Sequence, residues 1–187
     1  MRVSGGRARG IPLRAPRGDI ARPATDALRQ AVFSSLGGRV AGAQFLDLFA
    51  GTGAYGLEAL SRGAAGGVFV EKDREAVACL RKNIAAVCKS LGRGEQGLDV
   101  FPGDAVNPPL EGGTLPDLVF IDPPYEMVTG VAPLLFPRLG QALAANSDVL
   151  IVFELPGELD LAPEGWTMIK RIGKGRRQPT AAFYRKS

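Results

Sequence analysis

Gln44-Phe45-Leu46-Asp47-Leu48-Phe49-Ala50-Gly51-Thr52-Gly53-Ala54-Tyr55-Gly56 is the stretch that decides how the chain folds. Its first half, Gln44 to Phe49, is a short apolar run that suits a buried strand. Its second half turns on Gly51, Gly53 and Gly56 and leads into a helix that runs to about Arg62 and stops at Gly63. A strand that feeds a glycine-rich turn and then a helix opens a doubly wound α/β sheet.

Downstream the alternation continues. Gly67 to Val70 reads as a second strand, ending at Glu71-Lys72-Asp73. Val77, Leu80, Ile84, Val87 and Leu91 follow at spacings of 3, 4, 3 and 4, the stripe of an amphipathic helix. Leu98 to Phe101 is a third strand ending at Gly103-Asp104, and Asp117 to Ile121 a fourth ending at Asp122-Pro123-Pro124-Tyr125. A helix interrupted by Pro133 and Pro137, a fifth strand over Val149 to Phe153, and a hairpin of Thr167 to Ile172 with Ala181 to Tyr184 complete the pass. Upstream, residues 1–24 read as a basic Arg/Gly/Pro arm with a short hairpin around Gly5 to Gly10. A helix then opens over Arg22 to Asp26 with Thr25 as its N-cap, carries Leu28, Val32, Phe33 and Leu36 on one face, and ends at Gly37-Gly38. The expected fold is α/β with a mainly parallel sheet.

In such sheets ligands bind beyond the carboxyl ends of the strands. Asp47, Glu71, Asp104 and Asp122 all fall at or near those ends. Gly51-x-Gly53-x-x-Gly56 with Glu71 twenty residues after the first glycine also fits a nicotinamide dinucleotide site. Asp47 decides against it. A carboxylate beside the loop repels a pyrophosphate and suits a cation, and S-adenosylmethionine carries an ammonium and a sulfonium. On this reading the glycines admit the methionine part of that cofactor. Glu71 accepts from the ribose hydroxyls, and Asp104 accepts from the adenine amine.

Asp122-Pro123-Pro124-Tyr125 supplies the chemistry. The exocyclic amine of a nucleobase is a poor nucleophile because its lone pair is delocalised into the ring. Two acceptors, the Asp122 carboxylate and the Pro123 carbonyl, can draw that pair out of conjugation. The Pro123-Pro124 pair stiffens the loop, and Tyr125 can stack on the base. No general base of the histidine type is required, and the chain contains no histidine at all. That absence excludes a Ser-His-Asp triad and most zinc sites. Cys79 and Cys88 lie nine positions apart on one predicted helix, too far apart to bridge and without metal-ligand spacing, so no metal is expected.

The formal charge of +4 conceals an uneven layout. Residues 1–30 carry a net +5 and residues 166–187 a net +7, whereas residues 31–165 carry −8. Basic ends around an acidic middle suit a polyanion gripped from the termini. The candidate contacts are Arg2, Arg7, Arg9 and Arg22 at one end and Lys174, Arg176 and Arg177 at the other. No apolar run is long enough to span a bilayer and no apolar stretch follows the first arginines, so a cytoplasmic location and no membrane partner are expected.

Asp47 to Ala64 as a block, Phe69-Val70-Glu71-Lys72-Asp73, Asp122-Pro123-Pro124-Tyr125, the opening Arg2-Val3-Ser4-Gly5-Gly6-x-x-x-Gly10 and Arg22-Pro23-Ala24-Thr25-Asp26 together resemble the bacterial small-subunit (16S) ribosomal RNA guanine-N2 methyltransferases of the RsmD type. The likeness covers nearly the whole chain. It departs at Ser34, where the family often has Asn, and at Ile172 to Thr180, where a basic stretch stands in place of a Tyr-Gly-x-Thr segment. The resemblance implies a Rossmann-like class I methyltransferase domain over 25–187 with residues 1–24 as a hairpin extension. It implies Asp122 to Tyr125 as the catalytic loop, and Asp47, Phe49, Gly51, Gly53, Glu71, Lys72, Asp104, Ala105 and Asp122 around S-adenosylmethionine. The implied substrate is ribosomal RNA, naked or in an assembling small subunit, and the protein is expected to act as a monomer. The rival readings are an adenine-N6 methyltransferase, for which the Asp122 loop is equally suited, a dehydrogenase, and a non-catalytic RNA-binding module.

Overall fold

The computed structural model describes residues 1–16, 23–110, 114–173, 175 and 178–187, with the side chains of 23–25 left aside. Arg22, Lys174, Arg176 and Arg177 lie outside the described residues. The elements are α1 (Pro23–Leu36), β1 (Gln44–Leu48), α2 (Ala54–Ser61), β2 (Gly66–Glu71), α3 (Arg74–Leu91), β3 (Leu98–Pro102), β4 (Leu118–Ile121), α4 (Val128–Ala142), β5 (Leu150–Pro156), β6 (Trp166–Ile172) and β7 (Pro179–Lys186). The strands form one seven-stranded sheet in the order β3-β2-β1-β4-β5-β7-β6. β3, β2, β1, β4 and β5 are parallel, and β7 joins β5 antiparallel and pairs with β6 as the closing hairpin.

The strand order reverses at β1, which pairs with β2 on one side and β4 on the other. A crevice opens at such a reversal. Two apolar layers cover the sheet. One holds Leu28, Val32, Phe33 and Leu36 of α1 with α2 and the Leu80, Ile84 and Val87 stripe of α3. The other holds Val131, Leu135, Phe136 and Leu139 of α4. Phe45 enters the first layer and Leu46 and Leu48 the second, so the pleat of β1 turns Asp47 toward α2.

Two expectations change. α1 begins at Pro23, so Thr25 falls inside its first turn rather than capping it; proline is pre-set for that opening position. α4 is one continuous helix despite Pro133 and Pro137. The two prolines are four apart and both exposed, so the carbonyls they leave unbonded face water while Leu135, Phe136 and Leu139 stay buried.

The N-terminal arm is built into the molecule. Its hairpin is minimal: Val3 N–H donates to the Ile11 carbonyl (3.0 Å), Gly10 N–H donates to the Val3 carbonyl (2.9 Å), and Arg2 bridges Pro12. Val3, Ala8 and Leu13 are buried in the α1/α2/α3 layer. Gly6 has φ +75°, and a side chain there would strike the Ser61 carbonyl. Ser61 Oγ donates to the Gly5 carbonyl (2.6 Å) and accepts from Ala8 N–H (2.9 Å). Glu58, wholly buried, accepts from Ser4 N–H (2.6 Å) and Ser4 Oγ (2.9 Å) and is paired with Arg62 (2.8 Å) and the buried Arg29 (3.4 Å). A buried carboxylate needs that number of partners to stay folded in.

Candidate active site

Strand β1 delivers Asp47 to the floor of a cleft of about 770 Å³ at the strand reversal. Its carboxylate is 2% exposed and accepts from Gly56 N–H (2.9 Å) in the first turn of α2. Burial pushes its pKa up to about 8; the Gly56 bond pulls it back, and the nearby Glu71 charge adds to the rise. Phe49 follows with φ 58°, the one non-glycine residue of positive φ among the described residues. The strain of that turn is what frees Ala50, Gly51 and Thr52 to curve along the cleft wall. Gly53 has φ +79° and a side chain there would meet Leu80, so the loop closes only on glycine.

Glu71 stands at the end of β2 and cross-ties the loop. Oε2 accepts from Gly51 N–H (2.9 Å) and Oε1 from Asp73 N–H (2.8 Å). Each carboxylate oxygen accepts twice, so the group retains capacity for a ligand diol. Lys72 and Ala105 also line the cleft. Asp104 does not: it is exposed, and Oδ1 is taken by Val106 N–H (3.1 Å).

The opposite wall is Asp122 to Tyr125. Asp122 N–H donates to the Leu48 carbonyl (3.3 Å), which ties the loop to the end of β1. The Pro124 carbonyl accepts from Met127 N–H (2.8 Å), closing a short turn over Tyr125–Met127 that sets Tyr125 at the cleft edge. Asp47, Phe49, Gly51, Glu71, Lys72, Ala105 and the Asp122 loop therefore share one cavity, and Gly53 shapes its loop from behind.

The sequence reading missed Glu154 and Tyr55. Ile121 of β4 pairs with Phe153 of β5, so the residues that follow, Asp122 and Glu154, leave neighbouring strands side by side. Glu154 is 3% exposed yet borders the cleft. Its Oε2 accepts from the buried Tyr55 hydroxyl (2.9 Å), and its Oε1 lies 3.5 Å from the Tyr125 hydroxyl. Tyr55 stacks on Phe120, with centroids 5.3 Å apart. Its pKa is driven well above the ordinary phenol value, by burial first and then by the charges of Glu154 and Asp122. The arm reaches the same cavity through Met1, Ala15 and Pro16. Asn83 of α3, also missed, holds it there: it accepts from Arg14 N–H (2.8 Å) and donates to the Arg14 carbonyl (2.9 Å) and the Thr52 carbonyl (2.9 Å). Arg2, Arg7 and Arg9 are exposed on the outer side of the arm. Among the described residues no cluster of His, Cys, Asp or Glu could hold a metal ion, and no helix is long and apolar enough to cross a membrane.

A family model described as Conserved hypothetical protein 95 matches residues 1–184. The chain belongs to this family. Its relatives include the ribosomal RNA small subunit methyltransferase D of Escherichia coli K12, 33% identical over 90% of this chain and 82% of that one, and its namesake from Haemophilus influenzae, 28% identical over 94% and 89%. The solved structure of the Escherichia coli yhhF protein superposes with a TM-score of 0.76 at 34% identity, over 100% of this chain and 98% of that one. As a member of the Conserved hypothetical protein 95 family the chain has the class I methyltransferase fold, and the cleft at its strand reversal is where that fold takes its ligands.

Proposed function

We propose that the chain moves a methyl group from S-adenosylmethionine to the exocyclic N2 of a guanine in small-subunit ribosomal RNA. The observation that carries this reading is a single cavity holding Asp47 and Glu71 on one wall and Asp122 to Tyr125 on the other. The residues fit that cofactor: buried and half-buried carboxylates suit its cationic end, Glu71 suits its ribose, and Phe49, Val70 and Ala105 offer an apolar seat. When bound it supplies the methyl group as an electrophile on sulfonium sulfur. The name borne by the Escherichia coli and Haemophilus influenzae relatives supports the RNA substrate.

The chain's own residues do the rest. The Asp122 carboxylate and the Pro123 carbonyl accept the two N–H bonds of the target amine and hold its lone pair out of ring conjugation. Tyr125 stacks on the extruded base. The released proton goes to Asp122 or to water. Residues 1–24 act as an arm on the 25–187 domain, with Arg2, Arg7, Arg9 and Arg22 on RNA phosphates; Lys174, Arg176 and Arg177, near the other end of the sequence, serve the same purpose. Ala105 and Lys72 complete the cofactor wall. The protein acts as a monomer in the cytoplasm, on RNA alone or in an assembling subunit.

The test is methylation of total ribosomal RNA with labelled cofactor and mass spectrometry of the nucleosides. N2-methylguanosine is expected; N6-methyladenosine would replace the substrate. Asp122→Ala should lower the single-turnover rate by about two to three orders of magnitude, as for other preorganised electrostatic partners, and a fully active variant would remove the mechanism.

A further inference from the structure

Glu154 is a buried carboxylate at the cleft that lies beside Asp122 on the neighbouring strand, and the methyl transfer proposed above does not use it. We infer that Glu154 is the residue that selects guanine, its carboxylate accepting from N1–H while Asp122 accepts from the adjacent N2 amine; this rests on the proposed guanine-N2 reaction.

The two oxygens of Glu154 are held unequally. Oε2 receives the Tyr55 hydroxyl at 2.9 Å, and Tyr55 is itself fixed by burial and by stacking on Phe120. That bond orients the carboxylate. Oε1 meets the Tyr125 hydroxyl at 3.5 Å, the limit of a useful hydrogen bond, and Tyr125 belongs to the loop that receives the base. Oε1 thus stands on the side of the loop that receives the base, where a donor on that base can replace the Tyr125 hydroxyl, and Oε2 stands on the side of Tyr55.

A base drawn out of its stack is read along its Watson–Crick edge. Guanine presents N1–H and the N2 amine there as neighbouring donors, and two neighbouring carboxylates are their complement. Adenine presents a bare N1 beside its N6 amine. A carboxylate facing that nitrogen sets acceptor against acceptor, and the buried group loses its partner, which is how a polar site rejects an analogue strongly. One acceptor at Asp122 suits either amine; the second, from β5, separates the two bases.

The experiment places 2-aminopurine at the mapped target position of a synthetic RNA. That base keeps the N2 amine but carries no hydrogen on N1. The wild type should prefer guanine over 2-aminopurine by about a hundredfold in kcat/KM. Glu154→Gln keeps an oxygen for Tyr55 and gains an amide N–H able to face a bare N1, so its preference should fall below about tenfold, with cofactor binding by calorimetry unchanged as the control for folding. A wild type indifferent to the loss of N1–H overturns the inference without need of the variant. A Glu154→Gln enzyme that slows both bases equally also overturns it, since a carboxylate that only props Tyr125 would act that way. In both cases an N2-methylguanosine product leaves the proposed reaction standing; a product methylated on adenine removes both.

Discussion

Cofactor binding should carry the titration of Asp47. Its carboxyl is held at about 8 by burial, against an ordinary value of 3.8. With that pKa only ~1% of the group is ionised at pH 6 and about half at pH 8. If the cationic cofactor binds the ionised form, the apparent affinity scales with the competent fraction. Affinity should then climb roughly fiftyfold from pH 6 to pH 8 and level off above pH 9. Binding near pH 6.5 should release about one proton, read by calorimetry in two buffers of different ionisation heat. The amino group of the ligand titrates nearby, around 8 for an α-amine. Asp47→Asn separates the two: it keeps the ligand's own titration and removes the protein's. A wild-type to variant affinity ratio that stays flat from pH 6 to pH 8 would refute the reasoning. The ligand-free protein gives a second readout. Between about pH 4 and 8 the folded chain holds a proton that the unfolded chain has released, so this group's contribution to stability is complete below 3.8 and is lost as pH rises toward 8. Asp47→Asn should flatten that decline.

Asn83→Ala removes three hydrogen bonds, two to the Arg14 backbone and one to the buried Thr52 carbonyl. At about 1 kcal/mol for each bond, and up to about 3 for a carbonyl left buried without a partner, the loss should be about 2–4 kcal/mol. That lowers the urea midpoint by roughly 1–2 M for a slope of about 2 kcal/mol/M. A shift under ~0.3 M would mean the arm is not fastened there. Cofactor affinity should fall as well, because Thr52, Ala15 and Pro16 all border the cavity. Replacing Arg2, Arg7 and Arg9 together by Ala should leave cofactor binding intact and make the salt dependence of RNA binding shallower by about two to three in the log-log slope; an unchanged slope would show three merely solvated arginines.

The parallel sheet and the first wall of the site were legible because their signals are local. The apolar run at Gln44, the glycine spacing and the strand-end carboxylates Asp47, Glu71 and Asp122 are each read within a few residues. Glu154 escaped for a narrow reason. The apolar run that marks the fifth strand stops at Phe153, whereas the strand runs to Pro156. Glu154 lies inside β5, but the parallel ladder with β4 closes at Ile121 and Phe153, so it leaves that ladder beside Asp122. Glu58, Arg29 and Asn83 were illegible on different grounds. On their helices they look like solvated polar residues. Their partners, Ser4, Arg2 and Arg14, lie 54, 27 and 69 residues away, and no periodicity reports such pairings.

The clasped arm also orders events in time. Residues 1–14 leave the ribosome well before Ser61, Glu58 and Asn83, which fasten them, and α3 is complete only at Leu91. Until then Val3, Ala8 and Leu13 have no apolar layer to enter. This early-made segment is thus a late one to dock. Such long-range closures are the slow part of folding. The cavity wall contributed by Ala15 and Pro16 is assembled only when that closure is made, so a growing chain acquires its full cavity no sooner than this arm docks.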